Sequence, residues 1–368
     1  MMLTLLSLVL AQADVDGGFE PLAVDAGVVA SASPDAGAGE SGPADARGEG
    51  ALTWTPIVDA FGEFQARFPR DAAPNNTFTV PRVQLGVQAD WRGASGRVLL
   101  EGVYATQGGA LIGVAGDSVV VRIREAWGGY RWRFLEAQLG LIPTLVVPEV
   151  ERAFLHRELS PDGLEAYRVK APADFGGLLR GHLPAGYGWV GVSVTNGEGY
   201  TSRELNTGKN VELAAAVHPL PRGVLEPLTV LGFAMVGTSG PSSARANRFG
   251  GGALWQGKTL GLGVTAASVQ GWLDDGSRQA LLVQGFARAE LFGRLLLAAR
   301  VHLFNRDTTQ PDQVLELIGG VGVKVEPVEL FLAVHRTSLS GAALTALPGV
   351  DSTDVRLVVR VRWPPLYP

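Results

Sequence analysis

The sequence predicts an all-β chain that folds as a transmembrane antiparallel β-barrel of about 16 strands, with one long loop folded into the lumen. Three observations lead to this fold class. Apolar and polar residues alternate with a period of two from residue 54 to residue 363. The alternating segments recur roughly every nineteen residues, which is the spacing of one strand and its connection in a membrane barrel. Short turns and longer polar loops join these segments.

The composition excludes several classes of site. The chain has 368 residues and no cysteine, so disulfide frameworks, thiolate metal sites and a cysteine nucleophile are excluded. Five histidines, none of them at ligand spacing, predict no metal site. The sequence pI of about 5.6 argues against a nucleic-acid partner. The acidity lies in residues 1–53, which carry eight acids and one base, and the remainder is nearly balanced.

The first thirteen residues have the features of a secretory signal peptide. Met1–Leu10 is an apolar run, and Ala11-Gln12-Ala13 forms an A-x-A cleavage site. A short buried helix is the alternative. The domain boundaries that we predict are 1–13 for the signal peptide, 14–53 for a disordered Ala/Gly/Asp-rich periplasmic tether, 54–363 for the barrel and 364–368 for a short C-terminal extension.

The tether contains a G-x-G-x-x-G pattern at Gly37, Gly39 and Gly42. No strand precedes this pattern and no helix follows it, so it does not meet the requirements of a dinucleotide site. No cofactor is predicted. No histidine lies in a G-x-S-x-G or H-E-x-x-H context, so no catalytic residue and no enzymatic activity are predicted either.

The strands are read from their alternation. In the second one, Val83, Leu85 and Val87 face away from Arg82 and Gln84, so the two faces meet different environments. The predicted spans are 54–68, 78–91, 97–105, 119–130, 135–142, 173–183, 189–196, 210–218, 228–237, 248–256, 259–269, 278–289, 294–304, 314–324, 328–336 and 354–363. A soluble sandwich or lipocalin-like barrel would alternate too, because the sequence does not say whether the apolar face is turned inward or outward.

The lengths of the connections indicate which end of the barrel faces the periplasm. Short turns follow the second, tenth and fourteenth strands, and longer loops occupy 105–118, 197–209, 237–247, 305–313 and 337–353. This parity places both termini at the short-turn side, hence in the periplasm. Aromatic residues near strand ends are predicted to form interfacial girdles: Trp91, Tyr104, Trp127, Tyr130, Trp132, Trp189, Trp255 and Trp363.

The polar strand faces carry many charges, and these are predicted to line a wet lumen. Lys or Arg that faces lipid at the bilayer midplane costs about 2–4 kcal/mol, so such charges belong beside water. The predicted pore-lining residues are Arg82, Arg122, Arg124, Arg180, His182, Arg300, Arg356 and Arg360. Most of these charges are expected to pair with acids along the wall.

Residues 143–170 are too long for a turn and too apolar for a solvated loop. Val150, Phe154 and Leu155 predict a short helix between Pro148 and Pro161. An apolar loop at this position would fold into the barrel and narrow it. Arg152, His156 and Arg157 are then candidates for the constriction, where rings of arginine select anions. Five acids lie among them, so an anion-selective throat does not follow from these residues alone.

Part of the chain resembles the phosphate-selective porin O and P family. The resemblance is carried by Val121–Trp127, Leu139–Thr144, the loop that contains Arg157, Asp174–Gly181 and Val192–Gly199. It implies a sixteen-stranded porin, typically trimeric, whose third long loop folds into the pore. The family's phosphate site depends on a basic cluster and an arginine ladder. This chain has no lysine-rich loop, so the resemblance implies a porin more firmly than a phosphate channel.

The sequence thus predicts a homotrimeric porin of the Gram-negative outer membrane. Small hydrophilic solutes would pass by passive diffusion, with anions favoured and phosphate as the specific candidate. The expected partners are these solutes and outer-membrane lipid. The alternative is a structural or interaction barrel whose lumen is filled by side chains.

Overall fold

Sixteen antiparallel strands form one closed barrel. The structure, a computed structural model, describes residues 51–105, 118–201, 204, 206–347 and 350–363. The predicted signal peptide, nearly all of the predicted tether, and the extension 364–368 lie outside the described residues. Each barrel strand pairs with its neighbours along the chain, and the first strand pairs with the last, from Val58 opposite Trp363 to Pro69 opposite Ser352. The predicted fold class is confirmed.

The barrel strands are β1 (Thr53–Pro69), β2 (Asn75–Trp91), β3 (Ala94–Ala105), β4 (Ser118–Trp132), β5 (Leu135–Pro143), β6 (Ala173–His182), β7 (Gly188–Thr195), β8 (Asn210–Val217), β9 (Leu228–Val236), β12 (Asn247–Gln256), β13 (Leu260–Trp272), β14 (Asp275–Leu291), β15 (Leu295–Asn305), β16 (Asp312–Val325), β17 (Val328–Gly341) and β18 (Ser352–Trp363). Each predicted span overlaps one of these strands. The largest difference is at β17, which continues beyond the predicted end at 336.

The other elements are short. Strands β10 (Thr238–Ser239) and β11 (Ala244–Arg245) pair with each other outside the barrel sheet. The helices are α1 (Val147–Phe154), α2 (Gly163–Ala166) and α3 (Ala343–Ala346), with 3-10 turns at Pro184–Gly186 and Gly223–Leu225. Among the described residues, no helix has the length and apolar character to cross a membrane.

The apolar strand faces point outward. In β15, Leu297, Val301 and Leu303 are exposed on the outer wall, whereas Arg300 and His302 are buried on the inner wall. The same arrangement holds in β18, where Val355, Leu357 and Val359 alternate with buried inner residues. This orientation is the reverse of a soluble barrel, so the lipocalin-like alternative is wrong for this chain.

The two ends of the barrel differ. Two-residue turns follow β2, β4 and β16, and three-residue turns follow β12 and β14, all at one end, which we call the turn end. The opposite end, the loop end, carries the long connections 144–172 and 196–209. Two connections break the pattern: 218–227 is long at the turn end, and 273–274 is short at the loop end. Strands β1 and β18 begin and finish at the turn end, respectively.

Exposed aromatic side chains surround the turn end. They are Trp54, Trp91, Tyr130, Trp132, Phe134, Tyr187, Phe292 and Trp363. Two of the predicted girdle residues, Trp127 and Trp189, point into the lumen instead, and the side chain of Tyr104 lies outside the described residues. Strand β4 contains an extra residue where the register with β3 shifts between Leu99 and Leu100, which turns Trp127 inward. In β7, Trp189 has the same parity as the inward Ser193.

Candidate solute site in the barrel lumen

The connection between β5 and β6, residues 144–172, enters the lumen, and we call it the lumen loop. Its helix α1 has Pro148 in its first turn, where proline is favoured because no helical partner for its nitrogen is lost. Leu155 ends the helix in a left-handed conformation, with φ of 67°. Val147, Val150 and Phe154 form the buried face of this helix. The predicted helix and lumen loop are therefore present.

The lumen loop crosses the barrel from wall to wall. On one side, Arg124 of β4 lies 3.9 Å from a carboxylate oxygen of Glu151. On the other side, Arg288 of β14 donates a 2.9 Å hydrogen bond to the carbonyl of Ala153. Strands β4 and β14 are eight positions apart in the ring of sixteen and so face each other. The loop thus divides the lumen into two parts.

One part of the lumen is filled by apolar side chains. The ring of Phe154 packs against that of Phe286, with centroids 5.4 Å apart. Leu159 and Leu164 of the lumen loop and Phe331 of β17 are also buried in this cluster. Burial of such side chains stabilises each by about 1.5–3 kcal/mol relative to exposure. This cluster attaches the loop to the far wall.

Arginines from the wall bind backbone carbonyls of the lumen loop. Arg248 donates to Val169, Arg300 to Ser160 and Pro161, and both Arg360 and Arg362 to Leu155, at 2.7–2.9 Å. Non-helical loop carbonyls buried from water need such partners. These guanidiniums therefore hold the loop in place. Arg248 was missed by the sequence analysis because the glycine-rich segment around it, Gly250–Gly252, hides the alternation of β12.

The other part of the lumen contains a cavity of about 210 Å³. It is bounded by β1–β6, by β18 and by the lumen loop. Seven guanidinium groups line it, from Arg97, Arg124, Arg152, Arg157, Arg180, Arg360 and Arg362. Four carboxylates line it as well, from Asp59, Glu125, Glu149 and Glu151. The lining therefore has an excess of positive charge.

Two of the three predicted constriction residues line the cavity. Arg152 lies 2.6 Å from Glu149, and Arg157 pairs with Glu151 and Glu165. His156 does not line the cavity. The left-handed turn at Leu155 directs it to the apolar side, where its ring packs 4.9 Å from that of Phe331 and its Nδ1 lies 3.0 Å from Glu158.

The predicted pore-lining residues separate into two groups. Arg124, Arg180 and Arg360 line the cavity. Arg360 makes a bidentate pair with Asp59, at 2.7 Å for each bond. Arg180 lies over the ring of Trp189, 4.7 Å from its centroid, and 3.9 Å from Glu136. The other five face inward but are not part of the cavity wall: Arg82, Arg122, His182, Arg300 and Arg356.

Three of the predicted arginines converge on one buried carboxylate. Arg82, Arg122 and Arg124 lie 3.1, 2.8 and 3.0 Å from oxygens of Glu101. The hydroxyl of Tyr200 donates to the same group at 2.7 Å. Glu101 is fully buried, so its charge is compensated by these neighbours and by a 3.0 Å hydrogen bond from the amide of Gln84. The alternation of residues along each strand placed these side chains on the inner face, but it did not show that a single acid joins them.

The remaining predicted residues are engaged in the wall. His182 lies 2.9 Å from Glu136. Arg300 is 3 % exposed and lies over the ring of Phe154, 3.8 Å from its centroid. Arg356 contacts Asp354 at 3.3 Å. These contacts stabilise the barrel and its loop, as the sequence analysis expected for most of the charges.

The side-chain atoms of His156, Glu158 and Glu329 that could coordinate a metal ion lie within 4.8 Å of one another. The cluster does not suit a metal ion, because Arg360 already neutralises it. Its guanidinium pairs with Glu158 and lies 3.9 Å from Glu329. Burial by itself raises the pKa of Glu158, but the charge of Arg360 and the hydrogen bond with His156 lower it to about 2. The ion pairs of Arg360 with Glu158 and Glu329 therefore hold the lumen loop against the barrel wall, and we call them the ionic latch.

Comparison with known proteins supports the barrel fold. No protein-family model matches the sequence, and no curated protein matches it. Among solved structures, Salmonella typhi OmpF in complex with daunomycin is similar, with a TM-score of 0.61, 13% identity and coverage of 84% of this chain and 97% of that one. The anion-selective porin from Comamonas acidovorans gives a TM-score of 0.59, 14% identity and coverage of 86% and 100%.

The trimer form of OmpT, an outer membrane protein of Vibrio cholerae, gives a TM-score of 0.58 and 12% identity over 85% of this chain and 100% of that one. At these identities the similarity shows the fold alone. The chain has the barrel of outer-membrane porins, and the specific resemblance to the phosphate-selective porin O and P family stays a hypothesis.

Proposed function

We propose that the chain is an outer-membrane porin that passes small hydrophilic solutes by passive diffusion. The observation that carries the proposal is the combination of an apolar outer wall with a charged cavity inside it. An apolar outer wall suits lipid, and a cavity lined by seven guanidiniums and four carboxylates requires water. The barrel fold shared with known porins supports the same function.

The proposed orientation places the turn end in the periplasm. Outer-membrane barrels keep short turns there and long loops outside the cell. The exposed aromatics of the turn end, such as Trp54 and Trp363, match the girdle at one membrane interface. Arg336 points outward near the loop end and pairs with Asp351 at 2.6 Å, which fits the polar edge of the opposite interface.

The proposed selectivity favours anions. The excess of guanidinium groups over carboxylates in the cavity supports it, because fixed positive charge concentrates anions. The family resemblance makes phosphate one of the anions to be tested. Guanidinium groups bind its oxygens in bidentate fashion.

We also propose a homotrimer. The similar OmpT structure is described as a trimer form, and this chain offers large exposed apolar side chains on β1–β6 that a second copy could cover. Unheated gel migration and native mass spectrometry of the folded barrel in detergent test this assembly. A strictly monomeric barrel would contradict it.

Liposome swelling tests the channel directly. Vesicles that contain the folded barrel are placed in isotonic solutions of small sugars or of sodium salts, and the expected result is swelling that slows as the solute grows. Vesicles without protein are the control. If folded barrel leaves the vesicles as tight as the control, the porin proposal fails and the structural barrel with a filled lumen replaces it.

A further inference from the structure

The lining of the lumen cavity contains both charged and apolar side chains. Its guanidinium groups share the space with the side chains of Leu99, Trp127, Pro143, Val147 and Leu155. Trp127 is partly buried and packs against the apolar cluster of the lumen. Its Nε1 lies 3.2 Å from Glu125, which fixes the indole plane. A purely hydrophilic ion would make no use of this apolar wall.

The carboxylates of the cavity already have cationic partners. Asp59 pairs with Arg360, Glu149 with Arg152, and Glu125 lies 3.3 Å from Arg97. The remaining one, Glu151, pairs with Arg157. An anion that enters the cavity therefore competes with no unpaired acid among the lining residues.

Two of the cavity arginines have weaker engagements. Besides its place over the ring of Trp189, Arg180 has a 3.9 Å contact with Glu136, and among the described residues its buried Nε has no hydrogen-bond partner. Arg362 donates to the carbonyl of Leu155 and forms no ion pair with any residue that the structure describes. Each of these two guanidinium groups therefore retains positive charge that an anion in the cavity can meet.

We propose that this cavity binds small organic acids that carry one carboxylate and a ring-sized apolar body, in preference to inorganic phosphate. The inference rests on the proposed function and names its substrate class. Arg180 would hold the carboxylate, and Trp127 would contact the apolar body. The cavity volume of about 210 Å³ suits a solute smaller than those of drug-sized sites, which span about 300–1,000 Å³.

Current block in planar bilayers tests the inference. Open channels in potassium chloride are titrated with benzoate, cyclohexanecarboxylate, acetate or phosphate. Benzoate and cyclohexanecarboxylate are expected to block at concentrations at least about tenfold lower than acetate or phosphate, which corresponds to about 1.4 kcal/mol. The comparison with acetate isolates the contribution of the apolar body.

Variants locate the site. Trp127→Ala is expected to remove the advantage of benzoate over acetate, whereas Trp127→Phe retains most of it. Trp132→Ala is the matched control, because Trp132 lies on the same strand but is exposed on the outer wall. Arg180→Gln is expected to weaken block by acetate and benzoate alike. Gel migration before and after heating confirms that each variant is folded.

The outcomes separate the two proposals. A folded barrel without any current in potassium chloride overturns the porin proposal itself. Open channels that phosphate blocks as well as benzoate does, or that benzoate blocks no better than acetate, overturn the inference about organic acids and leave the porin proposal intact. An unchanged benzoate advantage in Trp127→Ala overturns the assignment of the apolar wall.

Discussion

At the residue scale, Glu101 is a buried carboxylate that joins three arginines of the barrel wall. Three guanidiniums and the Tyr200 hydroxyl point at a carboxylate with no exposed surface. Such an arrangement is stable only while the acid is present, since removal of one partner from a buried ion cluster leaves uncompensated charge.

We therefore expect Glu101→Gln to destabilise the barrel by about 3–5 kcal/mol. The matched control is Glu326→Gln, because the side chain of Glu326 is 78% exposed and pairs with Lys324 at 3.2 Å at the surface. Urea unfolding of both variants in lipid vesicles gives the comparison. Equal unfolding midpoints for the two variants would show that the three arginines do not depend on Glu101.

Individual residues also show which side-chain directions could be predicted from the sequence and which could not. Parity along each strand correctly predicted inward side chains for Arg82, Arg122 and Arg180. It failed for Trp127, because one extra residue in β4 reverses the parity locally. The loop prediction placed His156 at the constriction, but a single left-handed residue at the end of α1 turns it toward the apolar side. Neither the bulge nor the turn leaves a glycine or another marker in the sequence.

At the element scale, the lumen loop is a docked segment rather than a free one. Its apolar side chains enter the wall cluster, and wall arginines take up its carbonyls. Both kinds of contact can be tested separately, because they involve different side chains.

Phe154→Ala tests the apolar contact. The substitution removes a buried ring and is expected to cost about 3–5 kcal/mol. Phe292→Ala is the control, since Phe292 is 94% exposed at the turn end. Hydrogen exchange of the lumen-loop amides should accelerate in the first variant and stay unchanged in the second. Slow exchange in both variants would mean that the arginine contacts alone hold the loop.

Lowering the pH tests how much the ionic latch at Glu158 contributes to the stability of the barrel. Its pKa is lowered to about 2 from a reference of 4.5, so its stabilising contribution is complete above about pH 5 and is lost as the pH falls toward 2. The contribution is on the order of 3 kcal/mol. The difference in unfolding midpoint between wild type and Glu158→Gln should therefore shrink as the pH is lowered from 7 to 3. A difference that stays constant over this range contradicts the latch.

The strands were the most predictable elements. Period two persists wherever the outer wall is apolar, which is why sixteen spans could be read from the sequence. The end of β17 was missed because its outer face turns polar at Arg336 and Ser338, beyond the apolar band. The contacts of the lumen loop could not be predicted, since they join residues far apart in the sequence, such as Arg360 and Leu155, which are 205 positions apart.

At the scale of the whole molecule, the barrel combines a sector filled by the apolar cluster with a sector that contains the charged cavity. The first is structural, and the second is the proposed path for solutes. The charge of that path predicts its selectivity. Arg180→Gln combined with Arg362→Gln should reduce the preference for chloride over potassium, because both side chains line the cavity. The reversal potential in a salt gradient measures this preference. An unchanged potential would place the conduction path elsewhere.

The central claim is that the lumen conducts. Single-channel recording of the folded wild-type barrel in a planar bilayer tests it most directly. We expect steady open steps of small conductance, because the lumen loop narrows the path, and a reversal potential that favours anions. Folded barrel that inserts into the bilayer and passes no current would mean that the lumen does not conduct.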